Sequence, residues 1–129
     1  AFITDAGYYM NLPDLDFIPG AVVMTRVISH PAKGVFTTDL GYKAIASDPA
    51  GQRGYIVGLE DAVPIIHSEE HWAFRLEDEN RIPAIGTCLY VIPTHICPTT
   101  ALYPEILVAK DGQVADRWQV TARNRRITY

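Results

Sequence analysis

Cysteine is scarce: Cys88 and Cys97 are the only two in 129 residues. That is too few for the disulfide framework of a small secreted domain, and both read as free thiols. Cations are not in surplus either, with eleven Lys and Arg against fifteen Asp and Glu and a formal charge of -4. Apart from the segment Arg123-Asn124-Arg125-Arg126 they are scattered, which excludes a basic stripe able to grip phosphate backbones. No nucleic-acid partner is expected. No apolar run approaches the roughly 18 residues of a membrane span, and no basic, apolar, small-residue leader opens the chain. No membrane partner is expected, and the protein reads as soluble and cytoplasmic. An initiating Met is missing too, since the chain enters directly at Ala1-Phe2-Ile3, as a processed or excised product would. Internal repeats and low-complexity segments are absent. What remains, 48% hydrophobic and 20% charged, is the composition of one soluble domain with a core of its own.

A helical apolar stripe is the next absence, for no window of about 11 residues or more carries one. Only residues 5–12 and 98–103 have the length and pattern of short helices. The β signals are stronger. Residues 20–30 hold the β-branched run Ala21-Val22-Val23-Met24-Thr25-Arg26-Val27-Ile28, bounded by Pro19-Gly20 and Pro31, which reads as a strand. Residues 35–38, 54–59, 63–66, 71–76, 87–92, 105–110 and 113–122 are further strand candidates. Asp111-Gly112 is the chain's best hairpin turn, joining the last two. Short strands at this spacing predict an all-β fold, a small β-barrel or sandwich-like domain with one or two short helices. Phe74, Tyr90, Tyr103 and Trp118 read as core aromatics.

The densest chemistry lies in Ile92-Pro93-Thr94-His95-Ile96-Cys97-Pro98-Thr99-Thr100-Ala101-Leu102-Tyr103, which sets His95 and Cys97 two positions apart between prolines. Each proline disfavours helix for the residue before it, so Ile92 and Cys97 are expected to be extended. Side chains two apart on extended chain face the same way, and one ion or one substrate then meets both. If Pro98 opens a short helix, Cys97 becomes its N-cap, where the dipole and free amides favour the metal-binding thiolate. Pro104 limits that helix to about a turn and a half. On spacing alone a plain packed turn with a buried Cys stays open. Two ligands also leave a zinc shell incomplete, since it takes about four.

Two other constellations carry charge. Asp39-Leu40-Gly41-Tyr42-Lys43 places an acid, a flexible Gly and a Lys together, which taken alone is a turn with a solvated charge pair. His67-Ser68-Glu69-Glu70-His71 has two His four apart, but Ser68 stands where the metalloprotease pattern needs Glu. The apolar residues on both sides read as strands, which removes the helical geometry and leaves a polar loop. The segment from Arg123 to Arg126 reads as a solvated tail or an anchor against a neighbouring domain.

Taken in order, Asp39-Leu40-Gly41-Tyr42-Lys43-Ala44, Glu69-Glu70-His71 and Pro93-Thr94-His95-Ile96-Cys97-Pro98-Thr99 resemble the C-terminal domain of the D-threonine aldolase and D-serine dehydratase family. Its members are pyridoxal-phosphate enzymes of the alanine racemase fold type. An N-terminal (β/α)8 barrel carries the cofactor lysine, and a C-terminal β domain carries a His-x-Cys metal pair. The resemblance covers nearly all of residues 1–129 as a single domain, but only the second half of such an enzyme. The cofactor barrel is expected to lie outside this chain, which alone is expected to be inactive and to hold no pyridoxal phosphate.

The resemblance implies a divalent zinc or manganese ion at His95 and Cys97, and it makes Asp39, Lys43 and His71 the catalytic candidates. Lys43 is not the cofactor lysine, which belongs to the barrel. Trp72 stands where a Gly is expected after His71. The implied partners are the barrel, a second copy in a homodimer and a D-3-hydroxy amino acid substrate. The implied reaction is aldol cleavage to glycine and an aldehyde, with the cofactor ring as electron sink and the ion at the β-hydroxyl. Dehydration of D-serine wants an ion at the same oxygen. Ile96-Cys97-Pro98-Thr99 and Tyr103-Pro104-Glu105 look more like the aldolase branch, so the dehydratase stands second. A free-standing, non-catalytic β domain that binds a metal or a partner is the competing class.

Overall fold

In the computed structural model, which describes residues 3–128, the β-branched run near the start forms the longest strand, β1 (Val23–Ala32). Val23, Thr25 and Val27 are buried while Met24, Arg26 and Ile28 are exposed, the alternation of a half-buried strand. Its first half, Val23 to Arg26, pairs antiparallel with β6 (Cys88–Pro93), and its second half, Val27 to Ala32, with β2 (Val35–Thr38). Register shifts fall between Val27 and Ser29 and between Ser29 and Ala32. Such irregularities bend a strand and increase its twist, so the sheet curls where β1 changes partners.

With β3 (Gly54–Ile56), β4 (Val63–His67) and β5 (Trp72–Arg75), the sheet has the order β3-β6-β1-β2-β5-β4. All its pairings are antiparallel. The result is a curled half-barrel with open edges at β3 and β4, in keeping with the expected all-β class. Pro64 sits on edge strand β4, where a missing N–H costs no ladder bond. The concave side holds the core of Phe36, Trp72, Phe74, Leu40, Ile45 and Val91, each at most 1% exposed. Phe36 and Phe74 are register partners and their rings stack at 5.4 Å. Each such burial contributes roughly 2 to 3 kcal/mol.

The expected hairpin forms from β7 (Glu105–Lys110) and β8 (Gln113–Gln119), a separate two-stranded sheet. Asp111 and Gly112 adopt φ of 51° and 75°, the left-handed pair that this tight turn needs. All of β8 is exposed. Trp118 is therefore not a core residue; it is half exposed, with its indole N–H donating to Asp116 Oδ2 at 3.1 Å. Tyr90 is not core either, because Leu89 and Val91 take the inward positions of β6 and leave it outside, opposite Met24. Phe74 is buried, and Tyr103 packs half-buried against the core with its hydroxyl donating to the Ala44 carbonyl at 2.8 Å. Arg123 ends a 3-10 turn (Thr121–Arg123), its Nε donating to the Ala101 carbonyl at 3.0 Å.

Candidate functional site

The His95 and Cys97 pair lies where β6 turns into a short helix, α2 (Ile96–Thr100). This helix starts earlier than the prolines predict. His95 is its N-cap with an extended backbone, Cys97 is already helical, and Pro98 sits at the third helical position. Cys97 is thus not the N-cap, and strand alternation is not what relates the two side chains. Proline is tolerated there because amides of the first turn have no intrahelical partner. The start is set from outside the helix: the Ile96 amide donates to Asp5 Oδ2 at 2.8 Å. Asp5 also caps α1 (Ala6–Asn11), where Oδ1 accepts the Tyr8 amide at 3.0 Å.

The corner is braced further by Thr99, whose hydroxyl donates to the His95 carbonyl at 2.8 Å and accepts the Ala46 amide at 3.3 Å. His95 is half-buried, its side chain 38% exposed, and Nδ1 lies 3.6 Å from Asp48 Oδ2. Cys97 is exposed, as is Cys88, and both are free thiols. An exposed thiol is not the buried Cys of a merely packed turn. His95 lines a cleft of about 390 Å³ with Tyr8, Asn11, Leu12, Pro49 and Thr94. Among the described residues no group of three or more His, Cys, Asp or Glu side chains is arranged to hold an ion. His95 and Cys97 are one imidazole and one thiol, whereas a tetrahedral zinc site takes four donors.

The other two motifs form one corner. The amides of Tyr42 and Lys43 donate to the carbonyls of Ser68 and Glu69 at 2.8 and 3.1 Å. A Cβ on Gly41 would stand 2.0 Å from the Glu69 carbonyl oxygen. Gly41 is thus required for space between two backbones, whereas the sequence shows only its flexibility. Lys43 Nζ bridges Glu69 and Glu70 at 2.8 Å each. Both carboxylates accept its protons, which raises the ammonium above the ordinary lysine range and holds Glu69 below its own.

Asp39 faces β1: Oδ1 accepts from the Thr25 hydroxyl at 2.6 Å and the Arg26 amide at 2.8 Å. Partial burial pushes this carboxyl upward, but those hydrogen bonds outweigh it and leave it below the ordinary range. His71 is exposed at the tip of the β4-β5 turn, its carbonyl accepting from the Ser68 amide at 2.8 Å. His67 is instead half-buried, 4.8 Å from the Trp72 ring. Trp72 is 1% exposed and packs on Phe74 at 4.6 Å, so the bulk after His71 points into the core. Residues 44–53 run from this corner to the His95 cleft. Asp5, Thr99 and Asp48 have no motif; only the capping role of Asp5 on α1 is legible, as an Asp before a short helix.

Residues 20–109 match the family model described as "Putative serine dehydratase domain". An uncharacterized protein of Mycobacterium tuberculosis is 33% identical over 115 residues, 87% of this chain and 86% of that one. D-threonine aldolase of Arthrobacter sp is 31% identical over 124 residues, 92% of this chain and 31% of the aldolase. The crystal structure of D-threonine aldolase from Filomicrobium marinum superposes with a TM-score of 0.83 at 24% identity, over 94% of this chain and 34% of that chain. The chain thus spans about a third of either aldolase and most of the mycobacterial protein. With the matched segment containing all three motifs, this chain belongs to the serine dehydratase domain family, that of the C-terminal domain of D-threonine aldolases and D-serine dehydratases.

Proposed function

We propose that this domain presents His95 and Cys97 as ligands of a zinc or manganese ion in a pyridoxal-phosphate lyase of the D-threonine aldolase type, which cleaves D-3-hydroxy amino acids to glycine and an aldehyde. The observation that carries the reading is the braced corner at α2, where an accessible imidazole and an accessible thiol flank a helix start tied down by Asp5 and Thr99. The donor set fits such an ion: imidazole and thiolate suit zinc, and an oxygen-rich completion of the shell shifts preference toward manganese. When bound, the ion supplies Lewis-acid polarisation of the substrate β-hydroxyl.

The chain's other residues orient and enclose. The open cleft beside His95 has the volume of a ligand pocket, with Tyr8, Leu12 and Pro49 giving it an apolar wall. Lys43 stays protonated against Glu69 and Glu70, which makes it a fixed wall charge and no proton carrier. Asp39 stays ionised and pins that wall to β1. His71, the third catalytic candidate, stands exposed at the turn tip that carries Glu69 and Glu70. The partners are the cofactor barrel and a second copy in a homodimer.

The pair serves β-elimination as well, since a dehydratase needs the same oxygen polarised; the runs around Cys97 and Tyr103 favour the aldolase. The mycobacterial relative, of which this chain covers 86%, supports a second reading, a separate chain that binds metal or partner without catalysis of its own. The test is made in the enzyme that joins this domain to its cofactor barrel, assayed with D-threonine. His95→Ala and Cys97→Ser are expected to lower turnover about 100-fold or more, several kcal/mol of Lewis-acid stabilisation being lost, with cofactor absorbance unchanged. Near-normal turnover of either variant in chelator-treated buffer sinks the metal role.

A further inference from the structure

Asp48 reaches the His95 ring from a loop that is fastened to the same helix as Cys97. Its Oδ2 lies 3.6 Å from Nδ1. Two contacts fix the peptide that joins His95 to Ile96, Ile96 N–H to Asp5 and the Thr99 hydroxyl to the His95 carbonyl. They leave the ring rotation and the tautomer undecided. A neutral histidine side chain in water favours the proton on Nε2, which would block the nitrogen that projects farthest from the backbone. A carboxylate at Nδ1 reverses that choice, since the hydrogen bond made by one ring nitrogen sets which nitrogen is free for a metal.

The loop carrying Asp48 is held where this requires. Thr99 Oγ1 accepts the Ala46 amide at 3.3 Å, so one hydroxyl joins the loop to α2. Arg53 Nη1 donates to the Ser47 carbonyl and, at 2.6 Å, to the Pro49 carbonyl, on both sides of Asp48. The Thr94 hydroxyl donates to Gln52 O at 2.8 Å, tying the loop's far end to the residue before His95. The Asp48 side chain itself is 77% exposed, free to close the last few tenths of an ångström. Hydrogen bonds at such sites are often long before the ligand arrives. On an exposed surface this contact adds little to stability.

We propose that Asp48 is a positioning residue for the metal pair: its carboxylate accepts a hydrogen bond from the Nδ1–H of neutral His95, which keeps the proton on Nδ1 and leaves Nε2 as the ligand atom. The proposal rests on reading His95 and Cys97 as ligands, and two measurements separate its failure from failure of that reading. The first needs no metal. Long-range proton–nitrogen spectra of the neutral imidazoles, with His95 assigned through His95→Ala, should show His95 as the Nδ1–H tautomer. Asp48→Ala should return it to the Nε2–H form, and Asp48→Asn, which keeps an acceptor oxygen, should restore it. The second is zinc titration of the chain against a chromophoric chelator. Asp48→Ala should weaken zinc binding about 10- to 100-fold, the usual cost of losing such a partner, with the urea midpoint unmoved. An Nε2–H tautomer in the unmodified chain, or an unchanged zinc affinity in Asp48→Ala, overturns the proposal. Zinc binding that survives both His95→Ala and Cys97→Ser overturns instead the assignment of the pair as ligands, and Asp48 with it.

Discussion

Asp5 and Ile96 are joined by a hydrogen bond of 2.8 Å across 91 positions of sequence, from the backbone amide of one to the carboxylate of the other. The second oxygen of the same carboxylate caps α1, so one residue, 2% exposed, starts both α-helices found among the described residues. The place where His95 and Cys97 leave the sheet is therefore set by a residue ahead of the first strand.

Asp5→Ala removes both caps and strands the buried Ile96 amide. A lost N-cap costs about 1 kcal/mol and an unsatisfied buried donor about 1 to 3. The expected loss of roughly 2 to 4 kcal/mol is read from urea unfolding. Asp5→Asn retains one acceptor and should lose about half as much. Equal stability of Asp5→Ala and the unmodified chain contradicts the shared cap.

Gly41→Ala tests the backbone crossing under the charged corner. Neither the Glu69 carbonyl at 2.0 Å nor the Glu70 amide at 2.2 Å from the new Cβ is the end of a flexible side chain, so one chain must move. A cost of about 3 kcal/mol or more is expected, at the upper end for overpacking. A thermal shift within error of zero means that the two segments do not cross as closely as described.

His67 gives the domain a pH-dependent stability. Burial, together with the Arg53 charge, holds its imidazole below the ordinary 6.5 despite a hydrogen bond with the Leu40 backbone. The unfolded chain then binds this proton more readily, so the contribution is complete above about 6.5 and falls away as pH drops through that value toward the folded pKa. Urea midpoints should decline between about pH 7.5 and about pH 5.5. His67→Phe, which keeps the ring against Trp72, should flatten that slope. A slope of the same size in His67→Phe assigns it to another group.

The hairpin should open independently of the half-barrel. Isolated two-stranded sheets are marginal in water, and every residue of β8 is exposed. Amides of Gln113–Gln119 are expected to exchange with solvent well before those of β1, since local opening needs less than global unfolding. Gly112→Ala, at φ 75°, should cost roughly 1 kcal/mol and quicken exchange in the hairpin alone. Uniform exchange across β1 and β8 refutes this separation.

Much of the architecture was open to reading before any fold was seen. The central strand, the Asp111-Gly112 hairpin and the short helix after Asp5 depend on neighbours within a few positions, which β-branched runs, turn dipeptides and caps report directly. The start of α2 escaped this reading because local rules around Pro98 compete with an acceptor from the chain's beginning. Tyr90 and Trp118 escaped it because hydrophobicity does not say which side of a strand faces the core; Leu89 and Val91 decide that for one, and the detached hairpin for the other.

What the sequence determined by itself is the inventory: an all-β domain, three motifs in family order, and the imidazole and thiol of His95 and Cys97. Their chemistry is a property of residue type and needs no coordinates. Tertiary structure alone decided the company they keep. It brought Asp39 to β1, laid Gly41 against Glu69 and locked Lys43 between two carboxylates. It also set Asp5, Thr99 and Asp48 around the His95 corner. Each of these contacts joins residues at least 26 positions apart, except the Asp39 bonds to β1 and Thr99's own reach to His95. Hydrogen bonds form between groups that the fold has already made neighbours, and no local pattern encodes such a meeting.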